Sequence, residues 1–276
     1  MKRFQALLQG KTLDRALVMG ILNVTPDSFS DGGRWVAESA IRRHVVEMVA
    51  AGADIVDIGG ESTRPGAAPV SVEEELERVL PAIAWVREET DLPISVDTSK
   101  PEVMQAALEA GAAMINDVNA LQAPGALEVV QHYRVPVCLM HRQGTPQTMQ
   151  LNPTYENVVD EVKAFLLKRA QVVRAETGLD TNAIWLDPGF GFGKHLEHNQ
   201  ALFGELDAFV ETGYPLLVGV SRKRMIGELL GGAPVDQRVC GSVAAALLAA
   251  LKGASVVRVH DVKETVDALT VAMALL

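Results

Sequence analysis

Short apolar runs recur along the whole chain, and each one ends at a polar residue. The runs cover residues 16–22, 55–58, 94–96, 114–115, 135–140, 183–186, 216–220 and 255–259. Stretches with helical periodicity separate almost every pair of runs. Because parallel strands need long connections, which are usually helical, this alternation predicts a parallel sheet. Eight such units in 276 residues predict an α/β protein of the (β/α)₈ TIM-barrel class.

The domain organisation follows from the continuity of this pattern. No Ser/Gly-rich linker, charge block or low-complexity tract divides the chain, and barrels of this class reach this length as one domain. We therefore predict a single domain over residues 1–276, with the barrel formed by 16–276. Residues 1–15 are predicted to form an N-terminal hairpin that turns near Gln9 and Gly10 and plugs the bottom of the barrel.

Several helices show features that bear on packing and assembly. Ser71 and Glu74 form a capping box at the start of the second barrel helix, and we expect Pro81 to kink or divide that helix. The helices at 237–252 and 265–275 are apolar on nearly all sides, which indicates burial on more than one side. Packing on the barrel and a homodimer interface both explain this pattern. The two explanations are about equally good, since soluble oligomers are commonly twofold dimers.

Charge and composition exclude several classes of function. The net charge of −10 argues against binding to nucleic acid or to anionic membranes. The longest apolar stretches fall well short of the roughly 20 residues that span a membrane. The first residues have no signal-peptide pattern, and the two cysteines fit a reducing compartment. We expect a cytoplasmic protein whose partners are small molecules.

The polar residues that follow the strands are the candidates for chemistry, because this class of barrel carries its active site at the carboxyl ends of the strands. Asp97, Asn116 and Asp187 each follow an apolar run. Carboxylates and amides in a dry pocket match the N–H donors and ring acceptors of an aminopyrimidine edge. They are less suited to binding a metal alone, because no pair of histidines accompanies them.

Cationic residues are concentrated near the last two strands. Arg258 and His260 are two residues apart, so they face the same side of the eighth strand. Loops after the seventh and eighth strands often hold phosphate in this class of barrel. Residues 221–224, with the sequence Ser-Arg-Lys-Arg, add a cluster of positive charge after the seventh strand. This pattern favours an anion site, although a solvated surface patch is the alternative for such a run.

Three glycine-rich loops follow strands and have no fixed nucleotide-binding pattern. The segment 187–194 lacks the spacing of both the P-loop and the dinucleotide-binding motif. We expect its glycines to let the backbone approach a flat ligand, with Phe190 or Phe192 as a cover and the other packed in the core. The polar loops at 23–33 and 59–66 are candidate lids that exclude water.

Taken together, the motifs resemble those of the dihydropteroate synthase family of pterin-binding enzymes. They are MGILNVTPDSFSDGG, GGESTRPGA, SVDTSKP, INDV, LMH, LDPGFGFGK, GVSRKRMIG and RVHDVKET, and they run in order from about residue 17 to residue 275. The resemblance implies a transferase of folate biosynthesis. Such an enzyme condenses 6-hydroxymethyl-7,8-dihydropterin diphosphate with para-aminobenzoate and releases diphosphate. It also implies Mg²⁺ as cofactor, a homodimer, and inhibition by sulfonamides.

The resemblance assigns roles motif by motif. Asn23 would be the Mg²⁺ ligand that holds the diphosphate. The pterin would be held by Asp97, Asn116, Asp187 and Lys223, with Met140 packed against the ring. The diphosphate would be bound by Arg258, His260 and Thr63. The para-aminobenzoate site would consist of Phe29, Thr63, Arg64, Pro65, Phe192 and Ser221. The catalytic residues would be Asp97, Lys223, Arg258 and His260.

The implied reaction is consistent with the chemistry of these side chains. The bond broken joins carbon to the diphosphate oxygen, and we expect a dissociative displacement. Arg258, His260 and Mg²⁺ would stabilise the leaving anion, and Asp97 and Asp187 the cationic pterin. An aryl amine is nucleophilic when neutral, so no strong general base is needed.

Three other functions remain open at this point. A pterin-dependent methyltransferase would share the barrel and the pterin residues, but would need a cobalamin partner and no diphosphate site. A Schiff-base aldolase would use Lys194 or Lys223 as its amine. A noncatalytic pterin-binding paralogue should have lost Asn23, Arg64 or Lys223, and all three are present.

Overall fold

The computed structural model describes residues 1–24, 33–64 and 66–276, and its centre is one parallel eight-stranded sheet. The strands are β1 (Leu17–Asn23), β2 (Ile55–Gly59), β3 (Ile94–Asp97), β4 (Met114–Asp117), β5 (Val137–Met140), β6 (Ile184–Asp187), β7 (Leu217–Val218) and β8 (Val256–Val259). They adjoin in the order β6-β5-β4-β3-β2-β1-β8-β7. A single parallel bridge from Leu186 to Leu216 joins β6 to the start of β7 and closes the barrel. The predicted (β/α)₈ class is confirmed.

Helices alternate with the strands. They are α1 (Lys2–Leu8), α2 (Gly33–Ala50), α3 (Val72–Glu89), α4 (Pro101–Glu109), α5 (Ala126–Tyr133), α6 (Val158–Thr177), α7 (Leu196–Gly204), α8 (Asp207–Val210), α9 (Arg224–Leu229), α10 (Val239–Leu251) and α11 (Val262–Leu275). In the described part of the chain, no helix combines the length and the apolar character that crossing a bilayer requires.

The second barrel helix, α3, confirms one prediction and corrects another. The Ser71 hydroxyl accepts the backbone N–H of Glu74, and the Glu74 carboxylate accepts that of Ser71, which is the predicted capping box. The helix is not divided at Pro81, because it runs unbroken from Val72 to Glu89. Val79 and Ile83, on either side of the proline, are both buried in the same hydrophobic core. This shared packing holds the two halves in one helix.

The N-terminal hairpin is not found; residues 2–8 form helix α1 instead. Phe4 and Leu7 are three residues apart, so on a helix they share one face, and both are buried. The Phe4 ring packs edge-on against Trp185, with ring centroids 5.8 Å apart. Burial of this apolar face favours the helix over a hairpin, which would place the two side chains on opposite faces. Gly10, with φ of +67°, lies in the turn that follows.

The barrel interior has an apolar floor and a polar upper layer. Inward-facing floor residues are Met19, Ile55, Met114, Cys138, Trp185 and Val256, against which Phe4 and Leu7 of α1 pack. Side chains two apart on a strand face the same side. The next inward residues toward the carboxyl ends are therefore Asp57, Asn116, Met140, Asp187 and Arg258. The strand alternation thus places a polar cluster directly above a dry core.

Candidate active site

Arg258 of β8 lies at the centre of the polar layer. Its Nε donates to Oδ2 of Asp57 over 2.7 Å, and its Nη2 donates to Oδ2 of Asp97 over 2.9 Å. The side chain of Asp57 is completely buried and that of Arg258 is 18% exposed. Burial alone would lower the pKa of Arg258, but the carboxylates of Asp57 and Asp97 raise it above its ordinary value. Arg258 therefore stays protonated and joins β2, β3 and β8 across the barrel.

Two carboxylate oxygens of this cluster lack a hydrogen-bond partner among the described residues. They are Oδ1 of Asp57 and Oδ1 of Asp97, and both are buried, as is the hydroxyl of Ser95, which also has none. Burial, with a smaller contribution from the nearby Asp57, raises the pKa of Asp97 to about 7 against the effect of Arg258. A buried acceptor without a donor costs free energy. These oxygens are therefore suited to accept N–H groups from a ligand.

Asn116 and Met140 complete this side of the pocket. The Asn116 amide donates to Oδ2 of Asp57 over 3.4 Å, and the Asn116 side chain is buried. Met140 is buried and is paired with Asp187 in the register of β5 and β6. The predicted pterin residues of β3, β4, β5 and β6 thus point into the same interior, which confirms their expected placement at the strand ends.

Asp187 and Lys223 are oppositely charged residues that both contact the loop after β6. Oδ1 of Asp187 accepts the backbone N–H of Gly189 over 2.7 Å, and Nζ of Lys223 donates to the Phe190 carbonyl over 2.7 Å. Burial raises the pKa of Asp187, against the effect of Lys223. Burial lowers the pKa of Lys223 to about 8, against the effect of Asp187. The described side chains of Asp187 and Lys223 do not form a direct ion pair with each other, so each can still bind a polar group of a ligand.

The two phenylalanines of this loop have different environments. Phe190 is fully buried, and its ring lies 5.9 Å from that of Phe203. Phe192 is partly exposed, and Nζ of Lys223 lies 4.7 Å from its ring centroid. Phe190 is therefore the core residue of the pair, and Phe192 remains the candidate to cover a ligand.

Ser221 and His260 are neighbours at the ends of β7 and β8. The Ser221 hydroxyl oxygen accepts the backbone N–H of His260, and it also lies 3.1 Å from Nδ1 of the His260 ring. The hydroxyl can then donate to Nδ1, which places the imidazole proton on Nε2. Burial, together with the charge of Arg258, lowers the pKa of His260 to about 4. His260 is therefore a neutral donor at pH 7, and Arg258 supplies the positive charge.

The three cationic residues of segment 221–224 have different partners. Nε of Arg222 donates to Oδ2 of Asp261 over 3.0 Å, so its charge is matched outside the pocket. Arg224 is exposed and pairs with Glu228 one helical turn away. Of the three cations, only Lys223 contacts the loop after β6. The expected anion-binding cluster is thus reduced to one residue from this run.

The expected diphosphate and para-aminobenzoate residues lie in loops at the same end of the barrel. Asn23 is the last residue of β1, is exposed and pairs with Gly59 of β2. Thr63 is partly buried and Arg64 is exposed. The charge of Arg64 contributes to the lowered pKa of His260, which places Arg64 near the end of β8. Phe29 and Pro65, also assigned to the para-aminobenzoate site, lie outside the described residues.

Asp57 is missed by the sequence analysis, which gives Lys194 a different role. Asp57 lies inside the apolar run of β2. It is two residues from Ile55 and from Gly59, so the alternation of the strand predicts that it faces the same side as they do. Lys194, with 2% of its surface exposed, lies beneath the loop after β6, and its Nζ is 2.9 Å from Nδ1 of His141. An enclosed amine cannot reach a carbonyl substrate, so Lys194 does not serve as the Schiff-base lysine of an aldolase.

Comparison with known proteins is consistent with this geometry. The family described as "Pterin binding enzyme" matches residues 19–260. The chain is 52% identical over 271 residues to the dihydropteroate synthase of Escherichia coli (strain K12), covering 97% of this chain and 95% of that protein. The dihydropteroate synthase of Xanthomonas albilineans, solved with 4-aminobenzoic acid, is 54% identical with a TM-score of 0.89, over 95% of this chain and 93% of that one. Its complex with 7,8-dihydropteroate gives a TM-score of 0.86 at 52% identity, over 96% and 95% of the two chains. The chain belongs to the pterin-binding enzyme family, and within it to the dihydropteroate synthases.

Proposed function

We propose that this chain is a transferase that condenses 6-hydroxymethyl-7,8-dihydropterin diphosphate with para-aminobenzoate, giving 7,8-dihydropteroate and diphosphate. The observation that carries the proposal is the buried cluster of Arg258, Asp57 and Asp97, in which two carboxylate oxygens have no donor among the described residues. The extent and identity of the match to dihydropteroate synthases support the same reaction.

The polar layer fits the pterin ring by its donors and acceptors. Asp97 and Asp187 can accept the amino and ring N–H groups, and Lys223 can donate to ring acceptors. Asn116 offers both a donor and an acceptor. The apolar floor beneath them keeps water away, which strengthens each of these interactions. We assign the pterin to this layer, with Met140 at its edge.

The reaction needs charge stabilisation at two places. As the bond from carbon to oxygen breaks, its electron pair leaves with the diphosphate, and Arg258 with the Nε2–H of His260 can stabilise that charge. The ionised carboxylates of Asp97 and Asp187 can stabilise the positive charge left on the pterin. The arylamine nitrogen then supplies the pair for the new bond to carbon and loses a proton. No residue of the site has to act as a strong base.

We propose that Mg²⁺ binds together with the diphosphate. Among the described residues, no group of three or more histidine, cysteine or acidic side chains is arranged to hold a metal ion. Mg²⁺ is commonly bound by one or two protein oxygens together with substrate phosphates, and the amide oxygen of Asn23 at the end of β1 is such a ligand. The donor set therefore fits a metal shared with the substrate. When bound, Mg²⁺ would supply positive charge to the leaving diphosphate.

The first test measures diphosphate release by the purified protein with the pterin diphosphate, para-aminobenzoate and Mg²⁺. We expect release that depends absolutely on the arylamine and is lost when the metal is chelated. Retained pterin binding without any release would instead identify a noncatalytic pterin-binding protein. Methyl transfer with a cobalamin partner, again without release, would identify a methyltransferase.

We also propose that the protein is a homodimer and acts in the cytoplasm. Large apolar side chains are exposed on the C-terminal helices α9, α10 and α11 and at the residue that directly follows α9. They are Leu229, Leu230, Leu248, Leu251, Val271 and Met273. Helices α10 and α11 contact each other, and exposed apolar surface of this kind commonly marks an interface. A second copy of the chain is the partner expected from the apolar character of these helices.

The double variant Leu248→Glu with Val271→Glu tests the dimer. Both side chains are more than half exposed, at 51% and 58%, so the variant should fold while two added charges oppose burial. We expect light scattering after size exclusion to give a dimer for the parent chain and a monomer for the variant. Leu151→Glu is the matched control, because Leu151 is 77% exposed and lies outside these helices. A dimer that survives the double variant would rule out this surface.

A further inference from the structure

The loop after β6 is built around the buried amine of Lys194. Nζ of Lys194 lies 2.9 Å from Nδ1 of His141, 2.9 Å from the Gly189 carbonyl and 3.1 Å from the Phe192 carbonyl. Burial lowers the pKa of His141 to about 3, so its ring is neutral and Nδ1 can accept. Burial lowers the pKa of Lys194 to about 7. In its protonated form the amine has three N–H donors for these three acceptors, and the neutral form keeps two donors for the two carbonyls.

Along the loop after β6, the carbonyls that accept from Lys194 alternate with the groups that contact Asp187 and Lys223. Gly189 donates its N–H to Asp187, while its carbonyl accepts from Lys194. The next residue, Phe190, directs its carbonyl to Lys223. Phe192 accepts from Lys194 through its carbonyl and places its ring beside the Lys223 ammonium. Each contact that orients Asp187 or Lys223 is therefore within one or two residues of a contact made by Lys194.

The backbone of this loop depends on such contacts because its conformation is unusual. Gly189, Gly191 and Gly193 all have positive φ, at +71°, +81° and +65°. A β-carbon at Gly189 would come within 1.8 Å of the His141 carbonyl oxygen, so the loop is pressed against the end of β5. Three flexible glycines lose much conformational entropy on ordering. A buried amine that donates to two carbonyls of the segment offsets that cost.

We propose that Lys194 is a positioning residue for the pterin site: its amine, held between His141 and the carbonyls of Gly189 and Phe192, sets the loop conformation that orients Asp187 and Lys223. It does not touch the substrate, since it is enclosed beneath the loop. The proposal rests on the pterin-binding function proposed above. Burial raises the pKa of Asp187, and the charge of protonated Lys194 acts against that rise, as do those of Lys223 and Arg258.

The test is Lys194→Met in the full-length chain, which keeps the length and apolar stem but removes the ammonium. By calorimetry without para-aminobenzoate, we expect the dissociation constant for the pterin diphosphate to rise about tenfold, as for loss of a buried hydrogen-bonding group. The KM for para-aminobenzoate should change less than about threefold, because Phe192 is the one described residue of that site that Lys194 contacts, and it does so through its backbone carbonyl. General loosening of the fold would change both quantities together.

Lys252→Met is the matched control. Lys252 also donates to a backbone carbonyl, that of Gly204 at 2.8 Å, but it is exposed and distant in the fold from the pocket. We expect its pterin affinity to equal that of the parent chain. Lys194→Met with parental pterin affinity would overturn the proposal, whereas an inactive parent chain would instead refute the proposed function.

A second variant covers the case in which Lys194→Met does not fold. His141→Phe removes one acceptor of the ammonium but keeps an aromatic ring against Phe165, whose centroid is 5.1 Å from that of His141. We expect the pterin dissociation constant to rise about threefold, since two of the three contacts remain. Unchanged affinity in a folded His141→Phe variant would also overturn the proposal.

Discussion

Replacement of Arg258 by methionine is expected to lower the free energy of unfolding by about 3–5 kcal/mol, because it leaves two buried carboxylates without their shared cation. Asp57 and Asp97 both depend on this guanidinium, and each already has one oxygen without a donor among the described residues. Pterin binding should be lost as well, since Asp97 would be protonated at pH 7 and would no longer offer a carboxylate to the ring N–H groups. Urea denaturation at pH 7 and calorimetry with the pterin diphosphate measure the two effects.

The pH dependence of this variant has a definite sign. Without Arg258, the pKa of Asp97 would rise further above the value of about 7 that burial produces in the parent chain. The unfolded chain would release the same proton near pH 4. The folded state would then bind more protons than the unfolded state between these values, so stability should fall as the pH rises from about 4 to above 7.

Arg42→Met is the control for Arg258→Met. Arg42 forms three ion pairs, with Glu38, Glu88 and Glu89, but at the protein surface. Exposed ion pairs contribute little to stability, because water screens them and solvates the partners when they are freed. We expect Arg42→Met to be nearly as stable as the parent chain. Equal stability of the two variants would refute the central role of Arg258 in the barrel.

Asp97→Asn is expected to reduce kcat/KM by about 10²–10³, a loss typical of removing one charge that stabilises the transition state. The amide keeps the shape of the side chain and removes the negative charge that faces the developing cation. In the parent chain, kcat/KM should rise with pH up to about 7, because burial raises the pKa of Asp97 to about 7 and only the ionised form stabilises positive charge. The variant should lose this rise.

Asp54→Asn separates this charge effect from loss of any buried aspartate. Asp54 is also buried and also paired with an arginine, Arg15, at 2.7 Å, but it precedes β2 at the opposite end of the barrel. We expect Asp54→Asn to lower stability and to leave kcat/KM near the parental value. Full turnover by a folded Asp97→Asn variant would exclude electrostatic stabilisation by Asp97.

The sequence predicts most of the fold because strands and polar strand ends leave a local pattern. All eight apolar runs correspond to strands, and Asp97, Asn116 and Asp187 lie where parallel strands must place them. Asp57 is missed because a single aspartate is concealed in an apolar run, although its phase marks it as inward-facing. The short segment 1–15 is misassigned because it has few apolar positions. Those that decide its structure, Phe4 and Leu7, are buried against the floor of the barrel, which no local pattern indicates.

What the sequence cannot provide is the identity of partners that are distant along the chain. Arg258 and Asp57 are separated by 201 positions, and Arg222 and Asp261 by 39. Nothing local indicates that Arg222 is neutralised while its neighbour Lys223 contacts the loop after β6. The burial of Lys194 likewise depends on how β5 and the loop after β6 meet. These are properties of tertiary packing and not of periodicity.

The junction between β6 and β7 is the weakest part of the barrel wall, and it connects ligand binding to the stability of the barrel. Strand β7 has two residues, and one bridge from Leu186 to Leu216 joins it to β6. Asp187 ends the strand on one side of this junction, and Lys223 follows the strand on the other. A ring held by both side chains would act as an additional cross-link between β6 and β7. Local opening of the barrel and release of the pterin would then be coupled events, so that substrate binding itself completes the mechanical closure of the wall.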